Sequence, residues 1–489
     1  MPTLRSALLL LMTVAPVAVH AQGTATTLSL DEAISLAKRN NPSYLQLLNS
    51  RTRADANLRA AYGSLLPSAS TNIGTGFRQG KQEIVSGVAF GSTSDILTSS
   101  WGLNVSYNFS ARTLTNLRSA RAAIEAADAD IANADQQLRS VVVQEYVAVL
   151  QRQAQAALQD TLVAFNQLQL DLAKAKAGVG TATSLDVIRA EVALGTQQVA
   201  ALRAHNDETV ERLRLYQQLG VPAVADVRLN STLTISEPSA DLAQLIGMAQ
   251  KTNASLLSLR QRQVVADQSV RAAQGGYLPT VFASAGIGGS QQKYTDVNYL
   301  LNQGTAQAAS AKASCFVQDS LRRGAGMPGI STCGAISFST AQADAVRATN
   351  SQWPFNFNSN PLTLSVGASL NLFDGFNRER TLQAAAADQS DARYNVRAQE
   401  LKLTADVSQT FTTLSADFRV LKLQEQNSAA ARQALQLAQE RYRVGLNSLV
   451  DLQQARADYD RAETDRINSI FEYHRAFAAL ESAVGRPLR

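Results

Sequence analysis

The 489-residue chain has little of what most enzymes and metal proteins use: two Cys, three His, two Trp and four Met. His20, His205 and His474 are far apart in sequence, in no ligand-like spacing. A zinc site or a His-based catalytic site needs converging ligands, so chemistry of that kind is not expected. No G-x-S-x-G elbow and no glycine-rich phosphate loop is present. Beyond Ala21 no apolar run approaches the roughly 20 residues that a membrane helix requires. Glycine and proline are missing from Leu103 to Ala177 and again from Phe376 to Val444. Nothing in those stretches breaks a helix.

The charge balance is +5, with 45 basic and 40 acidic residues. The charges are interspersed, without the basic face interleaved with aromatics that nucleic-acid binding concentrates. Arg5 followed by the apolar Ala7 to Val19 and by Val19-His20-Ala21 reads as a secretory signal with small residues at the cleavage site. The mature chain is therefore expected to be exported. Cys315 and Cys333 share one irregular segment, and in an oxidising compartment they are close enough in sequence to pair. A reactive or metal-binding thiol is the alternative at this point.

The strongest positive signal is an internal repeat. Residues 41–76 lie on 253–288 without a gap: Asn41 on Asn253, Arg59-Ala60-Ala61 on Arg271-Ala272-Ala273, and Leu66-Pro67 on Leu278-Pro279. Farther along, an offset of 265 lays Gly180 on Gly445, Asp186 on Asp451 and Gly220-x-Pro222 on Gly485-x-Pro487. The offsets differ because the second half carries an insertion at about 292–360.

Each half follows one programme. In the first, Ser29 and Glu32 form an S-x-x-E capping box opening a helix that Asn41-Pro42 interrupts and Leu66-Pro67 ends. Strand candidates follow. Trp101, Leu103, Val105, Tyr107 and Phe109 alternate with small or polar residues, as do Leu362, Leu364, Val366, Ala368, Leu370 and Leu372. Their partners, Ala69 to Phe77 and Val281 to Gly289, alternate less cleanly. Period two over about ten residues fits a tilted membrane strand. The stretches 112–177 and 377–443 then read as helices of roughly 100 Å. Val142, Val149, Ala156, Val163 and Leu170 recur every seven residues, as do Val407, Leu414, Leu421, Ser428, Leu435 and Tyr442. That period marks a supercoiled seam. Four strands cannot close a barrel alone, and lipid tolerates no open edge, so other copies must complete it.

These features resemble the TolC family of outer-membrane efflux and secretion channels across essentially the whole mature chain. The residues that carry the likeness are the Asn41-Pro42 break, the duplicated Leu-Pro before each strand pair and the Phe373-Asp374-Gly375 entry to a long helix. Val179-Gly180-Thr181, Val444-Gly445-Leu446 and the two Gly-x-Pro endings complete it. The resemblance implies a mainly α fold with membrane β. Long coiled-coil helical hairpins would form a periplasmic α-barrel tunnel, above four strands per protomer of a 12-stranded trimeric outer-membrane β-barrel. It further implies a homotrimer in outer-membrane lipid, a periplasmic adaptor and an inner-membrane transporter as partners, and a passive duct without cofactor or catalysis. The expected segments are 1–21 signal peptide, 22–66 first helix, 67–111 first strand pair and 112–222 coiled-coil helices. They continue with 223–278 linker and equatorial helix, 279–374 second strand pair with a long extracellular loop at 292–360, and 375–489 coiled-coil helices.

Site residues follow from the same likeness. The two glycine turns, Val179-Gly180-Thr181 and Val444-Gly445-Leu446, would be periplasmic tips docking the adaptor, glycine permitting the reversal because it tolerates positive φ. Asp186 and Asp451 match carboxylates at the periplasmic constriction, and Tyr442 matches a gate tyrosine that hydrogen-bonds the carboxylate matched by Asp186. Asn447 and Gln454 depart from the family pattern, standing where an arginine and a second acidic ring are expected, which implies a looser gate. The plainer alternative for either Asp is a favourable contact at a helix N-terminus. Two rival classes fit less well: a trimeric coiled-coil surface or adhesion protein with a barrel anchor would place one barrel segment at a chain end, whereas strands and helices are interleaved twice here, and no motif supports a secreted hydrolase.

Overall fold

The computed structural model describes residues 27–86, 88–92, 94–223, 228–230, 234–238 and 241–488. The expected signal peptide lies outside them. The chain divides into two compact units, one of residues up to Asp55 with Ala123–Val265 and Ser390–Arg489, the other of Ala56–Ala122 with Ala266–Gln389.

In chain order the elements of the first half are β1 (Thr27–Leu28), α1 (Leu30–Asn40), α2 (Pro42–Gly63), β2 (Ser68–Arg78), β3 (Lys81–Val85), β4 (Val88–Ser92) and β5 (Ile96–Phe109). Then come α3 (Ala111–Gly178), α4 (Ser184–Leu219) and β6 (Arg228–Leu229). The second half has α5 (Leu242–Thr252), α6 (Ala254–Gln274), β7 (Thr280–Tyr294), α7 (Val297–Gly324), α8 (Thr340–Ser351), β8 (Asn358–Ser359), β9 (Thr363–Ser369), α9 (Asn377–Arg443) and α10 (Leu449–Val484). The long gap-free stretches are single helices of 68 and 67 residues, close to the expected bounds. No described helix is long and apolar enough to cross a membrane.

The first unit is a helical bundle with seams that the seven-residue pattern foretold. Val142, Val149, Ala156 and Leu170 of α3 are buried, as are Val407, Leu414, Leu421, Ser428, Leu435 and Tyr442 of α9. One apolar cluster joins α4 to α3 through Ala190, Leu194, Leu170 and Ala173. A second joins α3 to α10 through Val147, Leu158, Leu162, Ile467 and Phe471. A third joins α10 to α9 through Leu403, Val407, Leu414, Tyr473 and Leu480.

The repeat also fixes two matching joints in this unit. Asn41 ends α1, donates from Nδ2 to the Gln218 carbonyl at 2.8 Å and accepts from the Tyr44 amide at 3.1 Å. Asn253 ends α5, donates to the Ala483 carbonyl at 3.0 Å and accepts from the Leu256 amide at 3.0 Å. Facing them, Gly220 and Gly485 close α4 and α10 with φ of 71° and 90°. A Cβ at Gly220 would stand 2.4 Å from the Asn40 carbonyl oxygen, and one at Gly485 2.6 Å from that of Thr252. Only glycine fits both the dihedral and the approach.

In the second unit β2, β5, β7 and β9 form an antiparallel sheet in that order, β8 adding a short rung to β7. The β5–β7 pairing, from Ile96 opposite Tyr294 to Phe109 opposite Val281, joins the two halves of the repeat. Among the described residues β2 and β9 each have one partner strand, which leaves the sheet two bare edges. β9 stops at Ser369, whereas the alternation continued to Leu372. Ser369 pairs with Thr280, the first residue of β7 after Pro279, so later residues have no strand to meet.

Two connections differ from expectation. The link between β2 and β5 carries the β3–β4 hairpin, which the alternation did not announce. The segment expected as a long loop at 292–360 is mostly helical: α7 has 28 residues and α8 has 12. Its Ala-, Gln- and Ser-rich composition is that of capped helices. Asp296 caps α7, and Ser339 with Gln342 forms a capping box on α8 like that of Ser29 and Glu32 on α1. Cys315 and Cys333 form the disulfide that staples α7 to the segment before α8.

Candidate functional site: the helix tips and the open edges

Each long hairpin reverses through glycine. After α3, Gly180 has φ of 77° and the Thr181 amide donates to the Lys176 carbonyl at 2.9 Å. After α9, Gly445 has φ of 82° and the Leu446 amide donates to the Arg441 carbonyl at 2.8 Å. These bonds close the helix ends and leave the turn side chains outside. Val179, Val444 and Leu446 are 76%, 64% and 77% exposed, and Thr181 is exposed too. These three aliphatic side chains on two tips are mostly solvated and join no apolar cluster among the described residues.

The next helices start alike. Thr183 caps α4, its hydroxyl and amide both donating to Asp186 Oδ2 at 2.8 and 3.1 Å, while the Asp186 amide donates back at 3.2 Å. Ser448 caps α10 in the same way through Asp451. Hydrogen bonds to the charged form hold both carboxyls below the usual aspartate value. Both are therefore ionised at neutral pH. Asn447 is half-buried, its amide 3.4 Å from the Arg441 carbonyl, and Gln454 is exposed, donating to Asp458 at 3.1 Å.

Tyr442 is buried among Leu435, Ala438, Leu449 and Leu452, near enough to Asp186 to feel its charge. Its hydroxyl makes no hydrogen bond to Asp186 among the described residues. Burial, then the Asp186 charge, raise its pKa. The residue that the sequence reading missed is Lys176. Its Nζ donates to the Tyr442 carbonyl at 2.6 Å and stands 4.0 Å from the ring centroid, clamping the tyrosine to α3. The offset of 265 pairs Lys176 with Arg441, a match of two cations that does not by itself point to Tyr442. Arg456 was also missed. It reaches from α10 to Asn166 of α3 at 2.7 Å and to Gln197 of α4, above the Phe165 ring.

The bare edges are as informative as the tips. In the α3–α10 seam Leu158 and Ile467 are 8% and 7% exposed. Their repeat counterparts are Leu423 of α9 and Leu202 of α4, at 60% and 71%. The same two apolar positions are thus covered inside the chain and uncovered on α9 and α4, which the described clusters do not join. The sheet repeats the theme. Ile73 and Phe77 of β2 are 78% and 65% exposed, and Leu364 and Val366 of β9 70% and 81%.

A sequence profile described as outer membrane efflux protein matches residues 33–221 and 321–486. The chain belongs to the outer membrane efflux protein family. Outer membrane protein TolC of Escherichia coli strain K12 is 24% identical over 319 residues, 65% of this chain and 55% of that relative, so the match spans about half of the relative's length. Among solved structures, the Campylobacter jejuni CmeC outer membrane channel superposes with a TM-score of 0.69 at 14% identity, over 93% of this chain and 85% of that one. The Vibrio cholerae outer membrane protein VceC gives 0.67 at 17%, over 94% and 97%. The mainly helical, duplicated, TolC-like fold is thereby shown.

Proposed function

We propose that this family member is one protomer of a homotrimeric outer-membrane channel, the passive exit duct of a tripartite efflux pump or type I secretion system, with no cofactor and no catalytic step. The observation that carries the assembly is the pair of uncovered repeat positions. If α9 of one copy meets α4 of the next as α3 meets α10 within the chain, Leu423 and Leu202 are buried as Leu158 and Ile467 are. In the sheet, β9 of one copy against β2 of the next repeats β5 against β7. A heterologous contact of this kind closes into a ring, and closing the sheet removes the edges that lipid does not tolerate. Three copies, the number the resemblance implies, bring twelve strands.

The tips supply the other half of the reading. Val179, Gly180, Thr181, Val444, Gly445 and Leu446 form the adaptor-docking surface, their exposed aliphatic side chains suiting an apolar partner. The adaptor links the duct to an inner-membrane transporter. Asp186 and Asp451, kept ionised by their caps, ring the constriction and favour cations. Asn447 and Gln454 add no charge, and Tyr442, held by Lys176, completes the gate.

The test is a double-cysteine chain, Leu202→Cys with Leu423→Cys, oxidised in membranes and in detergent. Covalent species up to three copies, and discrete conductance of the purified protein in planar bilayers, are expected. Monomers only, or a ladder running past three, contradict the ring; silent bilayers contradict the duct.

A further inference from the structure

The α7–α8 insertion encloses a cleft of about 460 Å³ against β7, and its lining has a distinctive chemistry. Not one lining residue is charged. Gln292, Gln303 and Gln307 supply amides, Tyr294 and Phe338 supply rings, and Leu300 and Val346 supply aliphatic surface. The side-chain amides of the three glutamines make no hydrogen bond among the described residues, and all three residues are exposed. Each offers both donors and an acceptor from one planar group. The Phe338 ring comes close to α7 because residue 304 is glycine; a Cβ there would stand 2.7 Å from the ring.

The walls are fastened. Asn350 of α8 accepts from the Tyr294 amide at 2.8 Å and donates to the Tyr294 carbonyl at 2.9 Å. Buried Gln291 donates to the Thr349 carbonyl at 3.1 Å. Tyr294 stacks on Tyr299 with centroids 5.6 Å apart. The Cys315–Cys333 bond ties α7 to the chain entering α8. A cleft so braced does not have to be ordered on binding, which lowers the cost of capturing a ligand.

We propose that this cleft binds a neutral saccharide of one to three rings. A sugar ring has an apolar C–H face and a rim of hydroxyls that are both donors and acceptors. An aromatic and aliphatic wall with uncharged amides around it complements both features, and the volume lies in the range of small-ligand sites. A charged ligand finds no counter-ion in the lining, and a purely apolar one leaves the amides unmatched. The cleft stands on the packing of α7 and α8 on β7 within one chain, so it holds whether or not the chain forms a duct.

The full chain, purified in a detergent without a sugar headgroup, is titrated by saturation-transfer NMR with maltose, lactose and N,N′-diacetylchitobiose. Binding of at least one at a dissociation constant of about 1 mM or tighter is expected, weakened about tenfold or more by Gln303→Ala with Gln307→Ala, since each lost hydrogen bond counts for most of a decade. Both positions are solvent-facing, so the fold is retained, and circular dichroism checks this. A lactosyl lipid in nanodiscs that displaces free lactose assigns the site to membrane-borne glycan; no displacement assigns it to soluble sugar. No binding of any sugar at about 10 mM, or equal binding by the double variant, overturns the proposal.

Discussion

α4 and α10 are the same element written twice. Each has 36 residues, a capping box that uses an Asp three residues into the helix, and a left-handed glycine at its end. Their surroundings are opposite. α10 lies between α3 and α9, and Val450 is its one large hydrophobic side chain among those exposed. Among the apolar clusters α4 meets α3 and α1 but not α9, and it leaves Leu185, Ile188, Val192, Val199, Leu202 and Leu213 about half-exposed or more. Local sequence makes both helices equally well. What separates them is whether the chain itself supplies the second neighbour; in the proposed ring the one that α4 lacks comes from another copy.

The comparison breaks most visibly at its apolar pair. Leu202→Glu or Leu423→Glu is expected to abolish assembly while each protomer keeps its helicity, read by light scattering and circular dichroism. Leu158→Ala and Ile467→Ala should instead cost each protomer about 2–5 kcal/mol as buried cavities, read by denaturant unfolding. If charge at Leu202 leaves the oligomer intact, the edges are not equivalent to the inner seam.

The tips are the next largest. Gly180→Leu with Gly445→Leu should abolish export by cells with trimers still present on semi-native gels; unchanged export removes the docking role. Where the two halves match best, the effects should match too. Gly220→Ala and Gly485→Ala each force a Cβ against a backbone carbonyl at positive φ and should each destabilise by more than about 1 kcal/mol. A cost at only one joint contradicts their equivalence.

A subtler difference is expected at the proposed gate, where the residue of the first hairpin that matches Tyr442 is Ala177. Tyr442→Phe with Asp186→Ala should raise single-channel conductance, and a value equal to wild type excludes the pair. The smallest effect concerns the caps. Asp186 and Asp451 have folded values below the ordinary 3.8, so their stabilisation is complete above that pH and is lost as pH falls through the lowered values. Asp186→Asn should flatten the acid limb of a stability–pH curve, slightly, since the group is exposed. A curve parallel to wild type rules out the capping role.

Much of this was legible in the residues because it depends on local chemistry. The breaker-free stretches gave α3 and α9 nearly to the residue, and the Ser29-x-x-Glu32 box gave the start of α1. Tip glycines, paired aspartates and joint asparagines were all found through the repeat. The helical insertion was missed because its small polar residues read as loop, although Ser339-x-x-Gln342 carries the same capping logic. Lys176 and Arg456 were missed for another reason. Each acts across helices, onto Tyr442 or onto Asn166 and Gln197, residues whose proximity no spacing along the chain reveals.

By itself the sequence determined the helices, the strands, the turns and their duplication, because backbone propensity, capping and side-chain period act over a few residues. Only the tertiary structure decided which copy of each element is covered. Burial depends on neighbours brought from hundreds of residues away, and two repeat-equivalent apolar positions, Ile467 and Leu202, acquire opposite surroundings because α10 is placed against α3 while no described apolar cluster places α4 against α9.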